Sequence, residues 1–162
     1  MTTFEGEPLG AGRRIAVVAA RFNKVVTTKL VEGAIEGLTE LGVDPGQIDL
    51  AWVPGAFEIP PVARKMAGSG LYDAVICLGA VIRGETAHFE LVAGEAARGV
   101  ADVSAQTGIP VVFEVLATED LAQAQARAGG VQGNKGREAA AVALEMADLL
   151  ERIPGPMAGR PG

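Results

Sequence analysis

The sequence is poor in the residues that most often carry chemistry. It holds one histidine and one cysteine in 162 residues. Cys77 cannot close an internal disulfide, and its apolar neighbours mark it as a small buried hydrophobe, with nothing beside it to lower a thiol pKa. One histidine and one buried cysteine, without an HxxxH or CxxC pattern, are too little for a metal site. The GxxxxGK(S/T) phosphate loop is absent. Cations are outnumbered, 14 Lys+Arg against 20 Asp+Glu, for a net charge of -6. That balance argues against nucleic acid as the main partner, because phosphate backbones need a basic face. No apolar run reaches the roughly 18 residues of a membrane-spanning helix, and Met1–Arg14 lacks the apolar core of a signal peptide. The expectation is a protein with no membrane partner, in a reducing cytoplasm.

What the sequence does have is apolar surface, 49% of its residues, enough for one sizeable core. The densest stretch is Ala74–Ile82, an apolar run broken only by Gly79, which reads as a parallel strand buried on both faces. Ile15–Ala20, Ile48–Val53 and Val111–Leu116 read as three more strands. Helices fit Thr27–Leu41, ended by Gly42, and Pro60–Ala67, with Pro60 and Pro61 in the first turn and Gly-Ser-Gly closing it. Another fits His88 to about Ala105. A fourth fits Glu119–Ala128, with Thr118 as its cap. After a glycine-rich break at Gly129–Gly136, a last amphipathic helix fits Arg137–Arg152. Thr2–Glu5 could form a short extended arm, and Pro154–Gly162 reads as a disordered tail. Strands alternating with helices predict a parallel sheet covered on both faces by right-handed crossovers, in one domain over residues 1–153.

In such a sheet, ligands lie outside the carboxyl ends of the strands, so the residues that follow each strand are the candidates. Phe22 follows the first strand. By itself an aromatic there reads as core, though an exposed ring could stack on a flat heterocycle. Gly55, Ala56, Phe57 and Glu58 follow the second; Glu58 either complements a helix N-terminus or accepts hydrogen bonds from substrate hydroxyls, and both readings stand. Arg83–His88 follows the third. Gly84, Thr86 and the coming helix N-terminus suit an anion, and His88 beside them could move protons. The plain alternative is a helix start capped by Thr86, with Glu85 disfavouring phosphate unless it points away. Arg127 at a helix end and Lys135 in a glycine-flanked loop could pair with phosphate or a substrate carbonyl, but helix dipole and loop charge explain them equally.

The blocks Ala20-Arg21-Phe22-Asn23, Trp52–Pro60 (WVPGAFEIP), Gly79–Glu90 (GAVIRGETAHFE) and Gly133-Asn134-Lys135-Gly136, in this order, resemble the lumazine synthases over roughly Gly6–Glu151. The resemblance implies a flavodoxin-like three-layer α/β/α sandwich with a four-stranded parallel sheet, and an N-terminal strand added to a neighbouring subunit. It implies a transferase of riboflavin biosynthesis. The reaction condenses 5-amino-6-(D-ribitylamino)uracil with 3,4-dihydroxy-2-butanone 4-phosphate, without metal or organic cofactor. Carried over residue by residue, it places Phe22 on the pyrimidine and Ala56, Phe57 and Glu58 along the ribityl chain. Ala80, Val81 and Ile82 meet the pyrimidine edge, Glu85 and Thr86 cradle phosphate by main-chain N–H, and His88 transfers protons. Phe113 comes from a neighbouring subunit, Arg127 pairs with phosphate and Lys135 approaches the ring carbonyls. It further implies a homopentamer and an icosahedral 60-subunit capsid. Gly129, Gly130 and Val131 stand where relatives often carry Gly-Thr-Lys, a departure that touches the assembly rather than the chemistry. A ligand-binding module without turnover and a scaffolding shell are the competing readings; the filled chemical positions favour the enzyme.

Overall fold

Six consecutive apolar residues, Ile15–Ala20, leave a strand no face that water could wet, so it must lie inside a sheet covered on both sides. The computed structural model, which describes residues 1–155, has this arrangement. Strand β1 (Ile15–Ala20) is flanked by β2 (Ile48–Val53) and β3 (Ala74–Ile82), and β4 (Val111–Thr118) pairs with β3. All neighbours are parallel, in the order β2-β1-β3-β4.

Side chains alternate between two cores. Ile15, Val17 and Ala19, with Ile76 and Leu78, face α1 (Lys24–Glu40) and α5 (Lys135–Arg152). Ala16, Val18 and Ala20, with Val75 and Cys77, face α2 (Ile59–Ala67) and α3 (His88–Thr107). The faces follow from handedness. Right-handed crossovers in this strand order send the β1–β2 helix to one side and the next two helices to the other. Chain closure by α5 beside α1 completes a flavodoxin-like α/β/α sandwich. Cys77 is buried, and burial pushes its thiol up to about 12. Among the described residues no helix is long and apolar enough to cross a membrane.

Several element ends differ from the sequence reading. Helix α1 begins at Lys24 rather than Thr27, because Asn23 turns the chain into it with a left-handed backbone. Its end is as read: Gly42 has φ +103° and Val43 N–H donates to the Leu38 carbonyl. Strand β4 continues two residues past Leu116 to Thr118. Thr118 therefore does not cap the next helix. Asp120 does, accepting from Gln123 N–H at 2.8 Å, while the Gln123 side chain accepts from Glu119 N–H at 2.9 Å. That helix, α4, is Leu121–Arg127, shorter than Glu119–Ala128. The glycine-rich break is a hairpin of β5 (Ala128–Gly130) and β6 (Gly133–Asn134). Lys135 is thus the first residue of α5 and not a loop residue. No strand forms at Thr2–Glu5, and that arm is exposed. Of the tail read at Pro154–Gly162, residues 156–162 lie outside the described residues.

Candidate active site

Order β2-β1-β3-β4 reverses direction between β1 and β3, and the crevice at that switch is where such sheets bind ligands. A cavity of about 670 Å³ opens there, walled by the ends of β1, β2 and β3 and the start of α3. Phe22, Ala56, Phe57, Glu58, Ala80, Val81, Ile82, Thr86 and His88 all line it. A smaller hollow of about 420 Å³ between α1 and the β5–β6 hairpin contains none of these residues.

The strand ends place each group. Arg21 N–H donates to the Val53 carbonyl at 2.8 Å and Phe22 N–H to the Pro54 carbonyl at 3.1 Å. The chain is thereby tied along β2 past the end of β1. Phe22 is 71% exposed, so it is a free aromatic face and not the core residue that its position suggested. Gly55 precedes a single 3-10 turn at Ala56–Glu58. A Cβ on Gly55 would lie 3.1 Å from the Glu58 carboxylate, so glycine leaves that carboxylate room at the wall.

Beyond β3 the loop from Arg83 to Ala87 leads into α3. Ala87, not Thr86, occupies the cap position, but the Thr86 hydroxyl accepts from His88 N–H at 3.3 Å. His88 is the first residue of α3 and lines the cavity, so the N-terminus of that helix lies at one end of it. Glu85 is exposed and does not line the cavity. Arg83 is occupied elsewhere. Its guanidinium pairs with Glu90 and, at 2.9 Å, with Glu119, and lies 4.5 Å from the centre of the Phe89 ring. The hydrogen bonds that it donates to Glu90 and Glu119 raise its pKa.

Phe113, Arg127 and Lys135 do not line the cavity. Phe113 is on β4, the edge strand, and is 36% exposed. Arg127 closes α4, where its guanidinium donates to the Gln123 carbonyl at 2.9 Å. Lys135 opens α5 and pairs with Glu138 at 2.6 Å, which raises its pKa; nearby Arg127 opposes the shift. Thus one chain separates the sequence-derived residues into a cavity group and a group around β4, α4 and α5. Among the described residues no lysine or arginine lines the cavity.

Phe89, Leu91 and Val92 also line the cavity and were not singled out from sequence. An apolar residue in the first turn of a helix reads as core; Leu91 is instead 64% exposed. Among the described residues no group of three or more His, Cys, Asp or Glu is placed to hold a metal ion.

A family model described as 6,7-dimethyl-8-ribityllumazine synthase matches residues 12–151, from just before β1 to the end of α5. The match spans all the strands and helices, and the chain belongs to the 6,7-dimethyl-8-ribityllumazine synthase family.

Proposed function

We propose that the cavity at the ends of β1, β2 and β3 binds the pyrimidine substrate, and that an adjacent copy supplies the missing cations and aromatic cover. The reaction is the family's. It condenses 5-amino-6-(D-ribitylamino)uracil with 3,4-dihydroxy-2-butanone 4-phosphate to 6,7-dimethyl-8-ribityllumazine, the penultimate step of riboflavin biosynthesis, with release of phosphate and water.

Phe22 stacks on the pyrimidine, and the backbone of Ala80, Val81 and Ile82 meets its edge. Ala56, Phe57 and Glu58 hold the ribityl chain, with the Glu58 carboxylate accepting from its hydroxyls. Gly84, Glu85 and Thr86 offer main-chain N–H groups, and the α3 N-terminus adds positive potential for phosphate. The substrate amine attacks the ketone and water leaves to give an imine; phosphate then departs to give an enol that tautomerises to a second ketone, and the ribitylamino nitrogen closes the ring on that carbonyl with loss of a second water. His88 carries protons through these steps, a role that typically contributes about 10²–10⁴-fold. Bringing two substrates into register supplies a further share.

The observation that carries this reading is the split between the two residue groups. A phosphate-releasing site lined, among the described residues, by no lysine or arginine calls for a cation from outside that lining. Arg127 and Lys135, with Phe113, are exposed or partly exposed around β4 and could meet a neighbour's cavity. We read the chain, residues 1–153, as one domain that forms a homopentamer, further assembled into a 60-subunit shell in the cytoplasm. Thr2–Gly6 adds a strand to a neighbouring sheet, a reading supported by the arm's exposure and by the open outer edge of β2.

The experiment mixes purified protein with both substrates and follows lumazine absorbance against the uncatalysed blank. Product well above the blank, lost in His88→Ala and in Arg127→Ala, is the expected result. Rates unchanged in both variants would remove their assigned roles.

A further inference from the structure

Asn23 is the only non-glycine residue with positive φ among the described residues, at φ 60° and ψ 45°. It stands at the cap position of α1, where an asparagine side chain would ordinarily accept from the helix's own N–H groups. Here it makes no such bond. Its amide instead donates to the Ala80 carbonyl at 2.8 Å, 57 positions along the chain. The Asn23 carbonyl receives Val26 and Thr27 N–H, so the backbone turn itself starts the helix.

The location gives this bond its meaning. The β1–β3 ladder ends at the pair Ala19 with Leu78. Beyond the ends of these strands the crevice opens, with Phe22 on one wall and Ala80–Ile82 on the other. The segment Arg21–Asn23 crosses the opening. On one side it is tied to β2 through Arg21 N–H and Phe22 N–H. On the other it is tied to β3 only through the Asn23 amide, the one hydrogen bond from this segment to β3. Between the two ties stands the exposed Phe22 ring.

We propose that Asn23 is a positioning residue that fixes the separation between the Phe22 ring and the Ala80–Ile82 backbone, and so sets the slot for the flat pyrimidine. Glycine would adopt the same backbone without steric cost, so backbone conformation alone does not call for asparagine. What asparagine adds is tolerance of the left-handed region together with a donor that reaches Ala80. The inference rests on the reading of Phe22 and Ala80–Ile82 as pyrimidine contacts.

The test compares Asn23→Gly, Asn23→Asp and Phe22→Ala in steady-state assays with each substrate varied in turn, alongside thermal unfolding. Asn23→Gly keeps the turn and removes the tether. Loss of one net hydrogen bond's worth of positioning predicts a rise of up to about tenfold in KM for the pyrimidine. KM for the phosphate substrate should stay within about twofold, since its contacts lie on the loop before α3. Asn23→Asp sets a carboxylate against the Ala80 carbonyl and should raise the pyrimidine KM further. If Phe22→Ala raises the pyrimidine KM but neither Asn23 variant does, the positioning role is wrong and the site reading stands. If both KM values rise together, or Tm falls without a selective KM effect, Asn23 is merely structural and the inference is overturned. A pyrimidine KM unmoved by Phe22→Ala defeats the site reading, and this inference with it.

Discussion

His88 is the chain's one imidazole, at the first residue of α3 on the cavity wall. Among the described residues lining the cavity, Glu58 is the one other ionisable side chain, and as a carboxylate it accepts hydrogen bonds. His88→Ala should lower kcat by roughly 10²–10⁴-fold and leave both KM values little changed, read from initial rates above the blank. Glu114 offers a different test. Burial is the main reason its carboxyl lies above the ordinary range; Lys135 draws it down and Glu138 pushes it up. A carboxyl raised on folding stabilises the fold below its unfolded value, and that contribution is lost as pH rises through the folded value. Glu114→Gln, neutral throughout, should therefore raise Tm near pH 7 relative to the parent and lose the advantage near pH 4. An equal Tm difference at both pH values would mean that burial does not govern this group.

At the scale of elements, the Gly133–Gly136 block becomes an architectural device. Asn134 caps α5 by accepting from Arg137 N–H at 3.1 Å, and its amide donates to the Lys29 carbonyl in α1 at 2.9 Å. Gly33 in α1 has no room for a Cβ beside the Asn134 side chain, and Gly136 has none beside the Leu30 carbonyl. Together they let α1 and α5 approach closely and fix where α5 begins, which is at Lys135. On helix propensity alone, Gly136→Ala would gain about 1 kcal/mol. Because the added carbon meets a backbone oxygen that cannot swing away, the expected outcome is instead a loss of about 1–3 kcal/mol, measured by urea unfolding. A gain would show that the helices part at no cost. On the other face Gly99 of α3 packs against Pro60 of α2 in the same way, which seats the start of α2, and with it Glu58, against the helix that carries His88.

At the scale of the molecule, the division of site residues predicts complementation. His88→Ala spoils the cavity half and Arg127→Ala the β4–α4–α5 half. Each alone should be nearly inactive. Unfolded together, mixed equally and refolded, random neighbours around a head-to-tail ring would leave about one site in four with both halves intact. Recovery of roughly a quarter of the parental activity on co-assembly, against none when the two are refolded separately and then mixed without exchange, is the expected result. Failure to recover activity from co-assembled rings would place both residues in one chain's site.

The central strands β1 and β3 were legible because their apolar runs, broken only by Gly79, fit only a two-sided core; the edge strands β2 and β4, which carry Asp49 and Glu114, were legible as shorter β-branched and apolar stretches between turn signals, and β1, β2 and β3 begin and end where they were read. The cavity group was legible for the same reason: residues that follow buried parallel strands must emerge at one sheet edge, so Phe22, Glu58 and His88 converge whatever the helices do. Helix ends were less so. Thr118 looks like a cap but continues β4, because backbone pairing to β3 outweighs a hydroxyl's local preference. Lys135 reads as loop because glycines surround it, yet close packing with α1 makes those glycines part of a helix start. Sequence by itself determined the four strands of the main sheet, the sheet edge that carries the cavity and the family. Only the tertiary structure decided that Arg127 and Lys135 stand apart from that cavity, and that Asn23 spans the crevice to Ala80. Those two facts depend on distances between segments remote in the chain, which no local periodicity encodes.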